Sequence, residues 1–345
     1  MLCVKVETID VKKIGVCGCV GVNDELLNGQ TIKTKQFIDY VKTRKDITKI
    51  VIVDTWDWHE RKYALFLDFI HMMYEVDDAY IFPAHNGVKV FIPLAVFLSF
   101  FIKVNVYYMV IGGWLVDLLK KNSVITFFVR YLKNIYVETK IMKDELNAID
   151  INNVEVVHNY KNYEQIKYNI SCNCLRYCTL SRVIKEKGVE DAIDAVIEIN
   201  SSNQNQKIYL DIYGQIDENY KDEFKTIISC LPEYIHYCGE VESNNVVKVL
   251  SNYRALLFPT HYYTEGQPGT IIDAYFAGIP VIAYEWRSAD EFIINNKTGW
   301  VIKRDLNQLI NKIKYVNDIE LIEIKHNCQE EALKYTSENV LSKIL

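Results

Sequence analysis

The groups best placed to do chemistry lie in one short stretch. Glu265 heads the loop Glu265-Gly266-Gln267-Pro268-Gly269, and Asp273 stands eight positions further on, inside a helix predicted over 271–276. Gly266 and Gly269 let backbone approach a ligand. The free N–H groups at the start of that helix, with the Thr270 hydroxyl beside them, make an anion site. Acceptors flanking an anion hole suit a sugar carried on a diphosphate, because carboxylates take hydroxyls and amides take phosphate. A plain strand–loop–helix with one acidic cap uses the same residues, so on residues alone both readings stand.

Apolar runs and their punctuation predict the elements that hold this stretch. A strand over 255–258 ends at Phe258-Pro259-Thr260, Gly278 stops the helix, Pro280 forbids its resumption, and a buried parallel strand covers 281–283. Around them, strands at 171–179, 208–213 and 235–238 alternate with helices from 189, at 222–230, 244–250, 306–316 and 319–335, and Ser337 caps a last one. The first half predicts strands at 14–20, 50–53, 79–82, 104–110, 135–137 and 154–157, with a polar linker at 161–169. Strands separated by helices make parallel sheets, which bind ligands at their carboxyl ends. That marks His85 and Asn86, and the pair Gly112-Gly113, and a long loop over 21–29 follows the first strand. For His85, acceptor contact and a hydrogen-bonded loop histidine are both open. Gly15, Gly18 and Gly21 lack the G-x-G-x-x-G spacing of a dinucleotide site.

Composition bounds the function classes. The 345 residues, half of them hydrophobic, are enough for two domains with separate cores. Net charge is −6, and the excess sits entirely after residue 158: the first 158 residues hold 19 basic and 19 acidic side chains, the remainder 20 and 26. No basic domain of the kind that binds nucleic acid is present. Nine cysteines without C-x-x-C pairs read as small core residues in a reducing compartment, so no metal site is expected. Residues 1–11 are mixed polar, and no leader is expected. The longest apolar run, 90–102, is 13 residues and contains Pro93, too short to span a bilayer; it is a buried or a membrane-facing helix. The stretch 118–134 mixes Phe127, Phe128 and Tyr131 with Lys120, Lys121, Arg130 and Lys133, either as an amphipathic helix docking on anionic lipid or with the aromatics in the core and the lysines on a solvated face.

The stretch from Glu265 resembles the donor-binding signature of family 4 retaining glycosyltransferases, which have the two-domain GT-B fold. The family's Glu-Gly-x-Pro loop matches Glu265-Gly266-Gln267-Pro268, its small-Gly-x-Pro-Val-Ile strand matches Ala277 to Ile282, and its closing turn matches Asn296 to Trp300. Its second Glu is here Asp273, one carbon shorter. The run Ser181-Arg182-Val183-Ile184-Lys185-Glu186-Lys187-Gly188 resembles its Gly-Arg-…-Glu-Lys-Gly motif, with Ser181 for Gly. Many members carry a His where this chain has Gly112-Gly113, and Asn28-Gly29-Gln30-Thr31 is similar to a subgroup that builds bacterial surface polysaccharides.

The resemblance implies an α/β GT-B protein, two Rossmann-like domains with parallel sheets facing across a cleft: an acceptor domain over 1–160, a donor domain over 161–325, and a C-terminal helix over 326–345 crossing back to the first. It implies retaining, metal-independent transfer from a nucleotide sugar, UDP-linked before GDP-linked, to a glycan or lipid-linked oligosaccharide. No cofactor is expected. Arg182 and Lys187 would stabilise the leaving diphosphate, Glu265 would orient the sugar, and Asp273 would hold the ribose. Gly266, Gln267, Gly269, Thr270, Gly214 and Gly239 would line the donor, and Gly29, Gln30, Thr31, His85, Asn86, Gly112 and Gly113 the acceptor side. The expected location is cytoplasmic, peripheral on the inner face of the cell membrane through the first domain. Two other functions fit the same signature: a nucleotide-sugar 2-epimerase, and a non-catalytic donor-binding subunit of a polysaccharide assembly complex.

Overall fold

The computed structural model describes residues 11–21, 29–163, 175–202 and 206–345. The expected loop at 22–28, most of the linker (164–169) and the first residues of the strand expected from 171 lie outside them. The chain divides into two compact units, Met1–His158 with Leu341–Leu345, and Asn159–Val340. Of the C-terminal helix expected to cross back from 326, only Leu341–Leu345 belongs to the first unit. There the Tyr80 hydroxyl donates to the Ile344 carbonyl at 2.9 Å.

In the first unit β1 (Lys12–Gly18), β2 (Ile47–Asp54), β3 (Asp78–Phe82), β4 (Asn105–Met109), β5 (Asn134–Val137) and β6 (Val154–Val156) form one sheet. All its pairings are parallel, in the order β2-β1-β3-β4-β5-β6. Its helices are α1 (Gly29–Thr43), α2 (Lys62–Glu75), α3 (His85–Ser99), α4 (Leu115–Lys121), α5 (Ser123–Val129) and α6 (Lys140–Asn147). Every residue of β3 is buried, as helix cover on both faces of a parallel sheet requires. The apolar run that supplies α3 buries Val88, Ile92, Ala95, Val96 and Leu98, and leaves Val90 and Phe97 exposed. The stretch 118–134, which reads as a single amphipathic segment, folds as two helices. Asn122 divides them: its side chain accepts from Ile125 N–H at 3.1 Å and caps α5. No helix among the described residues is long and apolar enough to cross a membrane.

In the second unit β7 (Arg176–Leu180), β8 (Tyr209–Tyr213), β9 (Ile235–Gly239), β10 (Ala255–Phe258), β11 (Val281–Tyr284) and β12 (Gly299–Ile302) form a second all-parallel sheet, ordered β12-β11-β10-β7-β8-β9. Its helices are α7 (Val189–Ser202), α8 (Lys221–Ser229), α9 (Val246–Leu250), α10 (Gly269–Phe276), α11 (Ala289–Phe292), α12 (Leu306–Tyr315), α13 (Asp318–Ala332) and α14 (Ser337–Leu341). The central strands β10 and β11 are wholly buried. Each sheet reverses its winding once, between β1 and β3 in the first unit and between β7 and β10 in the second. Open α/β sheets bind ligands at the carboxyl edge of such a switch point.

Candidate functional site

In the second unit the residues marked by the sequence leave the two strands that flank the switch. After β7 the chain turns through a 3₁₀ helix, Lys185–Lys187, and Gly188 ends it with φ +68°. A Cβ on Gly188 would lie 1.9 Å from the carbonyl oxygen of Pro259, just past β10. Only glycine lets these two loops close on each other, and His261 N–H then donates to the Glu186 carbonyl at 2.7 Å. Gly188→Ala is therefore expected to destabilise the unit by at least about 2 kcal/mol through backbone strain and overlap. A drop in the urea midpoint measures it.

This closure seats Lys187 against Glu265 in an ion pair, with side chains 16% and 15% exposed. The Lys187 ammonium also lies 5.5 Å from the Phe258 ring centre and 5.8 Å from that of Tyr262. Glu265 is fixed through its main chain, which donates to the Tyr262 carbonyl at 3.2 Å and accepts from Ser288 Oγ at 3.3 Å. The pair is ordered on both sides yet still reachable from solvent.

Helix α10 begins beside it. Pro268 supplies no capping side chain, so the first-turn amides of Gly269 and Thr270 receive none of the usual acceptors. The Thr270 hydroxyl oxygen is covered and has no hydrogen-bond partner among the described residues. Gln267 is turned inward. Its side-chain oxygen accepts from Asn159 N–H at 2.7 Å, and its carbonyl accepts from Asn159 Nδ2 at 2.6 Å.

Asp273 is not an open carboxylate. Its Oδ1 lies 2.9 Å from Lys161 Nζ, and the two side chains are 7% and 9% exposed. Lys161 sits over the Tyr163 ring at 5.6 Å, and burial, then Asp273, pushes the Tyr163 phenol up. A Cβ on Gly269 would come 3.7 Å from Lys161 Nζ, so this ammonium also borders the start of α10. Lys161, the first residue of the stretch expected to be a linker, is clipped by its backbone to Tyr335 and Ser337 at 2.8 and 3.1 Å. Sequence reasoning missed it because a lone lysine in an aperiodic polar stretch carries no signal of its partner.

Arg182 shares the carboxyl edge and is loosely held: its side chain is 62% exposed and approaches Asp217 only to 3.8 Å. Gly214, at φ +133°, admits the Arg182 loop, since a Cβ there would meet the Ser181 carbonyl oxygen at 1.8 Å. Gly214 N–H donates to the Gly239 carbonyl at 2.8 Å, joining the ends of β8 and β9.

The first unit places its own set past the carboxyl ends of β1, β3 and β4. Gly29 opens α1 and Gln30 Nε2 donates to the Phe82 carbonyl at 2.9 Å. Thr31 is fully buried, with Cys19 Sγ 3.4 Å from its hydroxyl. His85 and Asn86, both exposed, open α3, and the His85 ring lies 5.0 Å from Trp114. The Gly112-Gly113 turn is held by a buried pair that sequence reasoning did not find. Lys33 Nζ reaches Glu138 at 2.8 Å and the Val110 carbonyl at 3.1 Å, and Gly112 N–H points to the other oxygen of Glu138 at 3.4 Å. Among the described residues no cluster of three or more His, Cys, Asp or Glu side chains is arranged for a metal ion.

Residues 164–335 match the family model of glycosyl transferases group 1. The capsular polysaccharide biosynthesis glycosyltransferase CapM of Staphylococcus aureus is 28% identical over 152 residues, 43% of this chain and 38% of that protein. Glucosyltransferase 3 of Streptococcus parasanguinis is 47% identical over 51 residues, 15% of each chain. The matched part thus spans well under two thirds of these relatives' own length. The crystal structure of HepE from Anabaena, in complex with UDP and glucose, aligns over 96% of this chain and 98% of its own with a TM-score of 0.75 at 13% identity. With its two six-stranded parallel sheets, the chain has the GT-B fold expected from the sequence.

Proposed function

We propose that the chain is a retaining glycosyltransferase, from the premise that residues 164–335 match the glycosyl transferases group 1 family model. Its donor is a nucleotide sugar, UDP-linked before GDP-linked, and its acceptor a glycan or lipid-linked oligosaccharide in surface polysaccharide synthesis. The observation that carries this reading is the Lys187–Glu265 pair beside the uncapped start of α10, at the switch point of the second sheet.

A sugar diphosphate brings what each group there lacks. Its phosphate oxygens accept from Lys187, from the exposed fork of Arg182 and from the amides of Gly269 and Thr270. Glu265, relieved of part of its lysine, accepts from the sugar hydroxyls. As the bond from the anomeric carbon to phosphate breaks, negative charge grows on the leaving oxygen, where these fixed cations and dipoles are most effective. The acceptor oxygen bonds to the same face of that carbon and passes its proton to the departing phosphate, so no protein base and no metal is required. The donor ribose falls to Asp273 with Lys161 beside it.

Incubation of the purified chain with a panel of UDP- and GDP-sugars, with and without glycan acceptors, tests the reading. Glycosylated product of unchanged anomeric configuration supports it. Epimerised free donor without acceptor would replace it with the epimerase function, and no turnover of any donor would remove it. Arg182→Ala is expected to raise KM for the donor about tenfold with a smaller change in kcat, because an exposed, loosely paired guanidinium contributes mainly to ground-state binding. Steady-state kinetics on the preferred donor resolves the two.

A further inference from the structure

We propose that the first unit docks on an anionic lipid surface through the C-terminal end of α3 and the exposed side of α5. Five aromatic side chains there, Phe97, Phe100, Phe101, Phe127 and Tyr131, are between 51% and 71% exposed. They pack as a pair and a trio: ring centres lie 5.1 Å apart for Phe97–Phe101, 5.5 Å for Phe100–Tyr131 and 5.1 Å for Phe127–Tyr131, and Phe100 adjoins Phe101 in the chain. These rings are not a loosened part of the core, because α3 and α5 bury other residues, Val88, Ile92 and Val96 from one and Ile125 and Val129 from the other. Contiguous exposed apolar surface of this kind marks an interaction face.

Charge selects the occupant. Between residues 79 and 137 Asp117 is the only acid, against Lys89, Lys103, Lys120, Lys121, Arg130 and Lys133, in a chain whose net charge is −6. All six bases are exposed. Among the described residues no carboxylate forms an ion pair with any of the five lysines. Lys103, Arg130 and Lys133 stand within two positions of Phe101 or Tyr131. Aromatic rings at headgroup depth with cations around them are how a peripheral protein holds anionic lipid. Each basic residue near such a surface strengthens binding about fivefold. Interfaces between proteins are depleted of lysine, so exposed lysines standing around exposed rings favour an anionic lipid surface over a second copy of the chain.

The test is co-sedimentation of the full chain with vesicles of phosphatidylcholine alone or with about one third phosphatidylglycerol. Binding to the anionic vesicles only is expected, and it should weaken as salt rises from about 0.1 M to about 1 M and the screening length falls from about 10 Å to about 3 Å. Phe101→Ser with Phe127→Ser should lower the partition coefficient at least about tenfold. Lys103→Glu with Lys133→Glu should do likewise for anionic vesicles while keeping every ring, so a folding defect in one pair leaves the other to decide. Circular dichroism and thermal unfolding matching the wild type confirm that each pair is folded. A wild type that stays in the supernatant, or folded variants of both pairs that sediment as it does, would overturn the proposal. So would light scattering showing a dimer that the serine pair dissociates, with no vesicle binding. The assay reads lipid and not transfer, so its failure leaves the transferase reading standing.

Discussion

Lys187→Ala is expected to lower kcat for sugar transfer by about 10²–10³-fold while the protein stays folded. The ammonium is held in an ion pair and is still partly exposed at the β7/β10 switch, whereas Arg182 is exposed and loosely held and Lys161 is buried against Asp273. Charge that builds on a leaving phosphate needs a partner already in place, because reorganising one during the reaction forfeits most of the gain. Glu265→Ala should fall by a similar factor, for a different reason: it frees Lys187 but removes the acceptor for the sugar hydroxyls. The two are distinguishable. Loss of Lys187 should weaken binding of UDP alone, whereas loss of Glu265 should spare it, since UDP carries no transferred sugar. Steady-state kinetics, UDP titration and a melting curve on each variant supply the readouts. Full activity in either purified variant would remove its assignment.

Lys161→Met should be among the most destabilising single changes in the second unit, by about 3–5 kcal/mol, since it strands the Asp273 carboxylate in a site where both side chains are less than a tenth exposed. Set against a typical domain stability of about 5–15 kcal/mol, that is a large share. The asymmetry is the test. Asp273→Leu alone should also be costly, but Lys161→Met combined with Asp273→Leu should recover most of the loss, because replacing both members of a buried pair is close to neutral. Urea unfolding of the four proteins gives the coupling. If the double variant is as unstable as the sum of the singles, the pair is not what holds the segment Asn159–Lys161 to α10.

Much of the donor side was legible in the sequence. The strand at 255–258, the helix ending at Phe276 and the strand beginning at Val281 all stand where apolar runs bounded by Pro259, Gly278 and Pro280 place them. The proximity of Lys187 and Glu265 followed from the motifs, not from periodicity, since 78 residues separate them. What could not be read were pairings across long separations. Lys161 with Asp273, and Lys33 with Glu138, are each an isolated charge in sequence, and only the fold supplies the partner. The division of 118–134 was readable and was missed: Asn122 is a good capping residue, but continuous amphipathicity on both sides hid the break. Gly188 and Gly214 look alike on paper, yet each is required by one particular carbonyl oxygen.

Calorimetric titration of the full chain with UDP and, separately, with uridine addresses most directly whether the second unit recognises its ligand by the diphosphate. One UDP should bind, uridine should bind at least about a hundredfold more weakly, a difference of about 2.7 kcal/mol, and Lys187→Ala should bring UDP toward the uridine value. Equal affinity for the two ligands, or UDP binding that ignores Lys187, would contradict the account.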